Sequence, residues 1–271
     1  MCFSPQLFSR AKYSLQYVPR YAEQYFKLFN WKKNCKILDI GTGPGNLLFL
    51  VEPLFPKDYD EIMCTDRSKK MIDYFNTIKH DPRMKTLQMD IQTTNLPNEL
   101  KGRFDFVFSC NVLMYLSDIR QTFKNVSQML NPNGQLFFIS AKRAHVHEFY
   151  KSMREIRKWT PYMNDFKNWT NYFDTKNPVS LLNAELERVG LEVLKSEYID
   201  LIFYENDKQN ILDVFDSLDV ISDQIPKSDI PQYKEDYHKM ISSIIDERII
   251  DNELRFKVDF GSFVVAARKK C

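Results

Sequence analysis

Apolar positions along the chain change period several times, and each change marks a new element. Tyr13, Tyr17, Tyr21, Tyr25 and Phe29 recur every four residues and place an aromatic stripe on one face of a first helix, which Pro19 is expected to kink or restart. Lys36 to Ile40 then reads as a short strand, followed by a glycine cluster and a helix from Asn46 to Val51. Glu61 to Asp66 is a second strand, and a helix from Ser68 to Lys79 follows with Ser68 as its cap. Strands are expected at Met84 to Met89, at Phe104 to Ser109 after the turn Lys101-Gly102-Arg103, and at Gln135 to Ser140. The helix between the last two runs from Asp118 to Leu130 and stops at Asn131-Pro132-Asn133-Gly134.

Strands alternating with helices at this spacing predict an α/β fold, Rossmann-like, with a mostly parallel sheet covered on both faces. The second half is less regular. It holds helices at 145–158 and 179–189, the latter closed by Gly190, and a strand within Leu191 to Phe203. A helical stretch over 207–248 is broken at Pro226 and Pro231, and Leu254 to Ala267 makes a last strand. No internal repeat and no linker-like tract divides the chain.

Composition narrows the class. With 44% hydrophobic residues, 21 Phe and 14 Tyr in 271 residues, the chain can bury a sizeable core and is not disordered. No run approaches the ~18 apolar residues of a membrane span, and the start Met-Cys-Phe-Ser-Pro-Gln has no secretory pattern, so a cytoplasmic protein is expected. The five cysteines are widely spaced with no CxxC pair, which argues against a disulfide framework and a zinc knuckle; no metal is expected. A net charge of +2 without a long basic block implies no nucleic acid partner. Glycine is scarce: 7 residues, where average usage of about 7% would give roughly nineteen. Yet three of them, Gly41, Gly43 and Gly45, fall within five residues.

That cluster, Ile37-Leu38-Asp39-Ile40-Gly41-Thr42-Gly43-Pro44-Gly45-Asn46, sits between a strand and a helix, where backbone can approach a ligand closely and helix N–H groups are unpaired. A dinucleotide fingerprint needs G-x-G-x-x-G; here the third glycine comes one position early and Asn46 holds its place, which disfavours an NAD-dependent oxidoreductase. The G-x-G-x-G spacing after Leu38-Asp39-Ile40, with acidic strand ends at Asp66 and Asp90 and the segment Phe108-Ser109-Cys110-Asn111, resembles the class I S-adenosylmethionine-dependent methyltransferases. The resemblance implies their seven-stranded sheet with helical lid insertions, and S-adenosylmethionine as cofactor. It further implies that Asp66 accepts from the ribose hydroxyls, with Arg67 beside it, and that Asp90 accepts from the adenine amino group, with Ile91 beside the ring. Gly41 and Gly43 would lie against the methionine portion, the Cys110 carbonyl would receive its ammonium, and Asp39 would orient the loop or face that ammonium.

Tyr13-Ser14-Leu15-Gln16, the run Leu113-Met114-Tyr115 after the fourth strand, and Lys158-Trp159-Thr160-Pro161-Tyr162-Met163 together resemble the insect juvenile hormone acid O-methyltransferases over most of the chain. Those enzymes methylate the carboxylate of a farnesoic-type sesquiterpenoid acid. In their pattern a Gln of the N-terminal helix and a Trp after the fourth strand hold that carboxylate. Gln16 matches the first; Tyr115 stands where the Trp is expected, and Met114 where a His commonly precedes it. The resemblance therefore implies Gln16 and Tyr115 as the acceptor-holding residues and a juvenile hormone acid, farnesoic acid, or similar sesquiterpenoid or fatty acid as substrate.

The chemistry is consistent with such an acceptor. A carboxyl with a reference pKa of about 4.3 is more than ~99% ionised at neutral pH, so methyl transfer needs no base. Positioning of the reacting atoms can supply roughly 7–11 kcal/mol. Alternatives remain: an amine or phenol acceptor, or a non-catalytic paralogue that binds the cofactor or a hydrophobic ligand. The tyrosine stripe, Trp159 and Trp169 can equally be packing, and His145 and His147 a solvated helix start. One domain over 1–271 is expected, with a helical substrate cover at 1–30, a cofactor-binding half at 36–144, and a lid with the remaining strands at 145–271. The expected partner is a small hydrophobic carboxylic acid, and a homodimer is compatible with the sequence.

Overall fold

The computed structural model describes residues 5–9, 13–142, 145–163, 175–219 and 221–270. Strands β1 (Lys36–Ile40), β2 (Glu61–Asp66), β3 (Met84–Gln88), β4 (Phe104–Cys110) and β5 (Leu130–Ala141) are parallel. β8 (Glu253–Lys269) pairs antiparallel with both β5 and β6 (Leu191–Glu205). The order across the sheet is β3-β2-β1-β4-β5-β8-β6, and β7 (Asp246–Ile250) pairs with the first part of β8. The seven-strand path is the one expected; the eighth strand is not.

β7 corrects the helical reading of its stretch. Asp251 and Asn252 both take positive φ, 52° and 61°, the backbone of a two-residue hairpin turn that Asp and Asn tolerate. The helices before it are α8 (Lys208–Ser217) and α9 (Ile230–Ser242). Pro231 lies in the first turn of α9, where a missing N–H breaks no helical bond, so it begins a helix rather than ending one. Pro19 is a second correction. α2 (Tyr13–Tyr25) runs on through it, because Val18, Ala22 and Tyr25 are fully buried and tertiary packing outweighs the ~3 kcal/mol cost of an internal proline.

Alternation along the strands sends Ile37, Ile62, Phe106, Phe108 and Val264 to one face, under α2, α3 (Asn46–Val51) and α4 (Lys69–Ile78). Leu38, Ile40, Val107, Leu136 and Val265 go to the other, under α5 (Ile119–Met129) and α7 (Pro178–Arg188). The aromatic stripe belongs to the first of these cores: Tyr17, Tyr25 and Phe29 are buried in it and Tyr21 packs against it, while the side chain of Tyr13 lies outside the described residues. Ser68 caps α4 as expected, accepting from Met71 N at 3.4 Å.

A third apolar cluster lies apart from the sheet cores. α6 (His145–Met153), residues 156–163, α8 and α9 enclose Tyr150, Trp159, Tyr233 and Tyr237, all fully buried. At its centre Asp219 accepts from the hydroxyls of Tyr150 at 3.1 Å and Tyr233 at 3.0 Å. Trp159 stacks edge-on against Tyr233 and donates to Asp236 at 2.9 Å, so it is part of this cluster's own packing. Trp169 lies outside the described residues. α1 (Pro5–Phe8) brings Phe8 against this cluster.

Candidate active site

The carboxyl ends of β1, β2 and β4 meet where the sheet order reverses, the usual ligand position in an open α/β sheet. The cleft there has about 960 Å³ of open space including its mouth. Asp39, Gly41, Gly43, Asp66, Arg67, Asp90, Ile91, Cys110 and Tyr115, the residues singled out in the sequence, all line this one cleft. Gln16 is on α2, and its side chain lies outside the described residues.

The loop after β1 is held from beneath. Gly41 N and Thr42 N both donate to the Thr65 carbonyl, at 2.8 and 2.9 Å, which folds the loop over the end of β2. Gly41 (φ 71°) cannot carry a side chain, because an added Cβ would lie 2.2 Å from Val112 Cγ2. Gly43 (φ 53°) differs: its nearest neighbour would be a Phe8 ring carbon at 4.0 Å, so it faces the cleft. Gly45 does not line the cleft. Its would-be Cβ points at the Phe75 ring, 2.6 Å away, and so its absence serves the packing of α4.

Asp66 holds the loop as well as facing the cleft. Its Oδ2 accepts from Gly43 N at 3.0 Å and its Oδ1 from Ser68 N at 2.7 Å. Each carboxylate oxygen keeps further acceptor capacity for a ligand. Burial raises its pKa, against the opposing Ser68 and Gly43 N–H groups and Arg67. Sequence reasoning missed the bracing, since nothing local couples residue 66 to residue 43. Asp90 is exposed at the rim, with Oδ1 accepting from Gln92 N at 2.9 Å, and Ile91 is buried beside it.

Asp39 is buried on β1, and its Oδ2, like Thr42 Oγ1, has no hydrogen-bond partner in the protein. Burial pushes its pKa up to about 7, and the Asp66 charge adds to this. Two polar atoms left unpaired at the cleft, beside a glycine that opens onto it, fit a ligand with a cationic group at this end. A cation there favours the ionised carboxyl. Binding of S-adenosylhomocysteine should therefore release a proton below pH 7: affinity rises with pH toward about 7 and flattens above it. Calorimetric titration in two buffers of different ionisation enthalpy checks this, and Asp39→Asn should remove the proton release. In the free protein the sign is opposite: a carboxyl raised from 3.8 to about 7 loses stability as pH climbs across that window.

β4 ends at Cys110, whose thiol is pushed well above its ordinary range by burial and by Asp39. It is no nucleophile in this setting. The chain then passes through Asn111 (φ 55°) and Val112 into a 3-10 turn, Leu113–Tyr115. That turn carries the buried Tyr115 hydroxyl to the cleft wall, and burial raises its pKa, so it stays protonated as a donor. His145 Nε2 lies 2.8 Å from the Asp259 carbonyl, and the described residues contain no His, Cys, Asp and Glu cluster able to hold a metal. The His147 side chain lies outside the described residues. No helix among the described residues is long and apolar enough to cross a membrane.

Comparison with known proteins agrees with this layout. Residues 38–136 match the model of a methyltransferase domain. The chain is 24% identical to the juvenile hormone acid O-methyltransferase of Bombyx mori, over 93% of this chain and 92% of that one. It is 25% identical to the Drosophila melanogaster enzyme of the same name, over 91% and 85%. Among solved structures, a candidate methyltransferase from Bacillus halodurans superposes with a TM-score of 0.56 at 16% identity, over 92% of this chain and 99% of that one.

Proposed function

We propose that this chain, a class I S-adenosylmethionine-dependent methyltransferase, forms the methyl ester of a small hydrophobic carboxylic acid. The observation that carries the reading is Tyr115: a buried, protonated hydroxyl on the wall of the same cleft that holds Gly41, Asp66 and Cys110. Similarity to two juvenile hormone acid O-methyltransferases over more than nine-tenths of this chain supports an acid acceptor, and a sesquiterpenoid or fatty acid is the class we favour.

S-adenosylmethionine supplies a methyl group on a positively charged sulfur. Gly43, Asp66, Asp90 and Ile91 would hold its adenosine and methionine parts, with Asp39 and the Cys110 carbonyl toward its ammonium. Tyr115 would donate to one carboxylate oxygen and leave the other to form the C–O bond as the C–S bond breaks; no proton moves in that step. Gln16 on α2 would be the second donor. Two neutral donors hold the acceptor without neutralising it, which keeps it nucleophilic. Residues 1–30 and the lid at 145–271 would exclude water above the cleft, which strengthens these electrostatic contacts.

The test is a radiolabelled methyl-transfer screen over carboxylic acids, with alkaline release of methanol to identify esters. A base-stable product would replace the acid with an amine or phenol, and cofactor binding with no transfer to any acid would mark a binding protein. On an acid that is turned over, Tyr115→Phe should lower kcat/KM about tenfold, the loss of one hydrogen bond to a charged group, with S-adenosylhomocysteine affinity unchanged. Tyr115→Trp, which installs the residue of the resembling enzymes, should shift preference toward sesquiterpenoid acids.

A further inference from the structure

We infer that Tyr17 and Asn111 form a positioning pair that fixes the distance between the two acceptor-holding residues, an inference that rests on the ester-forming reading. Tyr17 follows Gln16 directly on α2, and Asn111 opens the turn that carries Tyr115. The two meet across 94 residues of sequence: Tyr17 OH donates to Asn111 Oδ1 at 3.5 Å. One end of this contact is anchored on α2, and the other lies at the start of the 113–115 turn.

Both ends are built to hold a position. Tyr17 is buried in the core beneath α2. Asn111 N donates to the Ile139 carbonyl at 2.8 Å, so the backbone is pinned to β5 while it takes a left-handed conformation. The other non-glycine residues with positive φ among the described residues are Asn34, Asn133, Asp251 and Asn252, and none of them lines the cleft; Asn111 does. Left-handed backbone at a non-glycine residue costs about 1–2 kcal/mol and persists where surrounding structure requires it. Here it turns the chain so that Val112 lies on Gly41 and Tyr115 reaches the cleft wall. A contact of 3.5 Å is long for two oxygens, so the pairing is judged by its coupling in the single and double variants.

The test uses Tyr17→Phe, which keeps the ring, Asn111→Gly, which keeps the left-handed backbone, and the double variant of the full chain. With an acid that the wild type methylates, each single change should lower kcat about tenfold, in keeping with the sensitivity of aligned reactions to small misplacements. KM for the cofactor and S-adenosylhomocysteine affinity should stay within twofold, and the double variant should be no slower than the slower single. Full kcat in Tyr17→Phe, or losses that multiply, would overturn the pairing. If the wild type methylates no acid, the ester reading fails and the pair is judged by amide hydrogen exchange. S-adenosylhomocysteine should then protect both 17–25 and 111–116 in the wild type, and only 111–116 in Tyr17→Phe. Equal protection of both segments in that variant would overturn it.

Discussion

Asp66→Ala is expected to weaken S-adenosylhomocysteine binding by about a hundredfold or more. On the proposed reading the carboxylate would meet the ligand's hydroxyls, and it accepts from Gly43 N and Ser68 N, so truncation would remove a ligand contact together with the brace of the loop that shapes the cleft. Hydrogen bonds to charged groups contribute roughly 1.5–3 kcal/mol each, and ~1.4 kcal/mol is a factor of ten. Loss of the ligand contacts with partial loosening of the loop therefore exceeds about two decades in affinity. Asp66→Asn should fall between, because its one carbonyl oxygen can serve Gly43 or Ser68 but its NH₂ faces a donor at the other. Calorimetry gives the affinities, and thermal melting of the free variants separates bracing from contact. Wild-type affinity in Asp66→Ala would remove this residue from the site.

Gly41→Ala should destabilise the free protein by about 2–5 kcal/mol. Two costs combine: a left-handed residue with a Cβ loses ~1–2 kcal/mol, and forcing a methyl against Val112 Cγ2, 2.2 Å away, adds overpacking of ~1–3 kcal/mol. The terms can be separated. Adding Val112→Ala to Gly41→Ala clears the clash and should recover the packing part, leaving the backbone part in place. Denaturant unfolding of the three variants measures this. If the double variant is no more stable than Gly41→Ala, the contact between the loop and the turn after β4 is not what excludes a side chain at residue 41.

The loop, the acidic strand ends and the parallel half of the sheet were legible because each is encoded locally. A strand that ends at glycine and resumes as a helix needs no distant partner to be read, and residues 36–40, 46–51 and 61–66 fold at the bounds their patterns predict. What escaped was settled by contacts remote in sequence. Gly45 looks like its neighbours, and only the Phe75 ring against it shows that it serves helix packing. Pro19 carries a strong local signal for a break, overruled by the burial of Val18, Ala22 and Tyr25. Asp-Glu-Arg-Ile-Ile at 246–250 has no strand alternation, and pairing with Glu253 to Lys257 decides its form. The bond from Tyr17 to Asn111 has no periodic trace at all, and nothing beyond asparagine's tolerance of left-handed backbone could have pointed to it.

The cluster around Asp219 packs on itself, with aromatic rings and carboxylates supplied by α6, α8, α9 and the stretch beside them, and with little share in the two cores that hold the sheet. If that cluster roofs the acceptor as proposed, mutations absorbed in it would alter the roof while leaving the glycine loop and Asp66 at their spacing. On that reading acceptor choice and donor binding can drift at separate rates within one gene, and a lineage can trade one acceptor for another without having to reinvent its source of methyl groups.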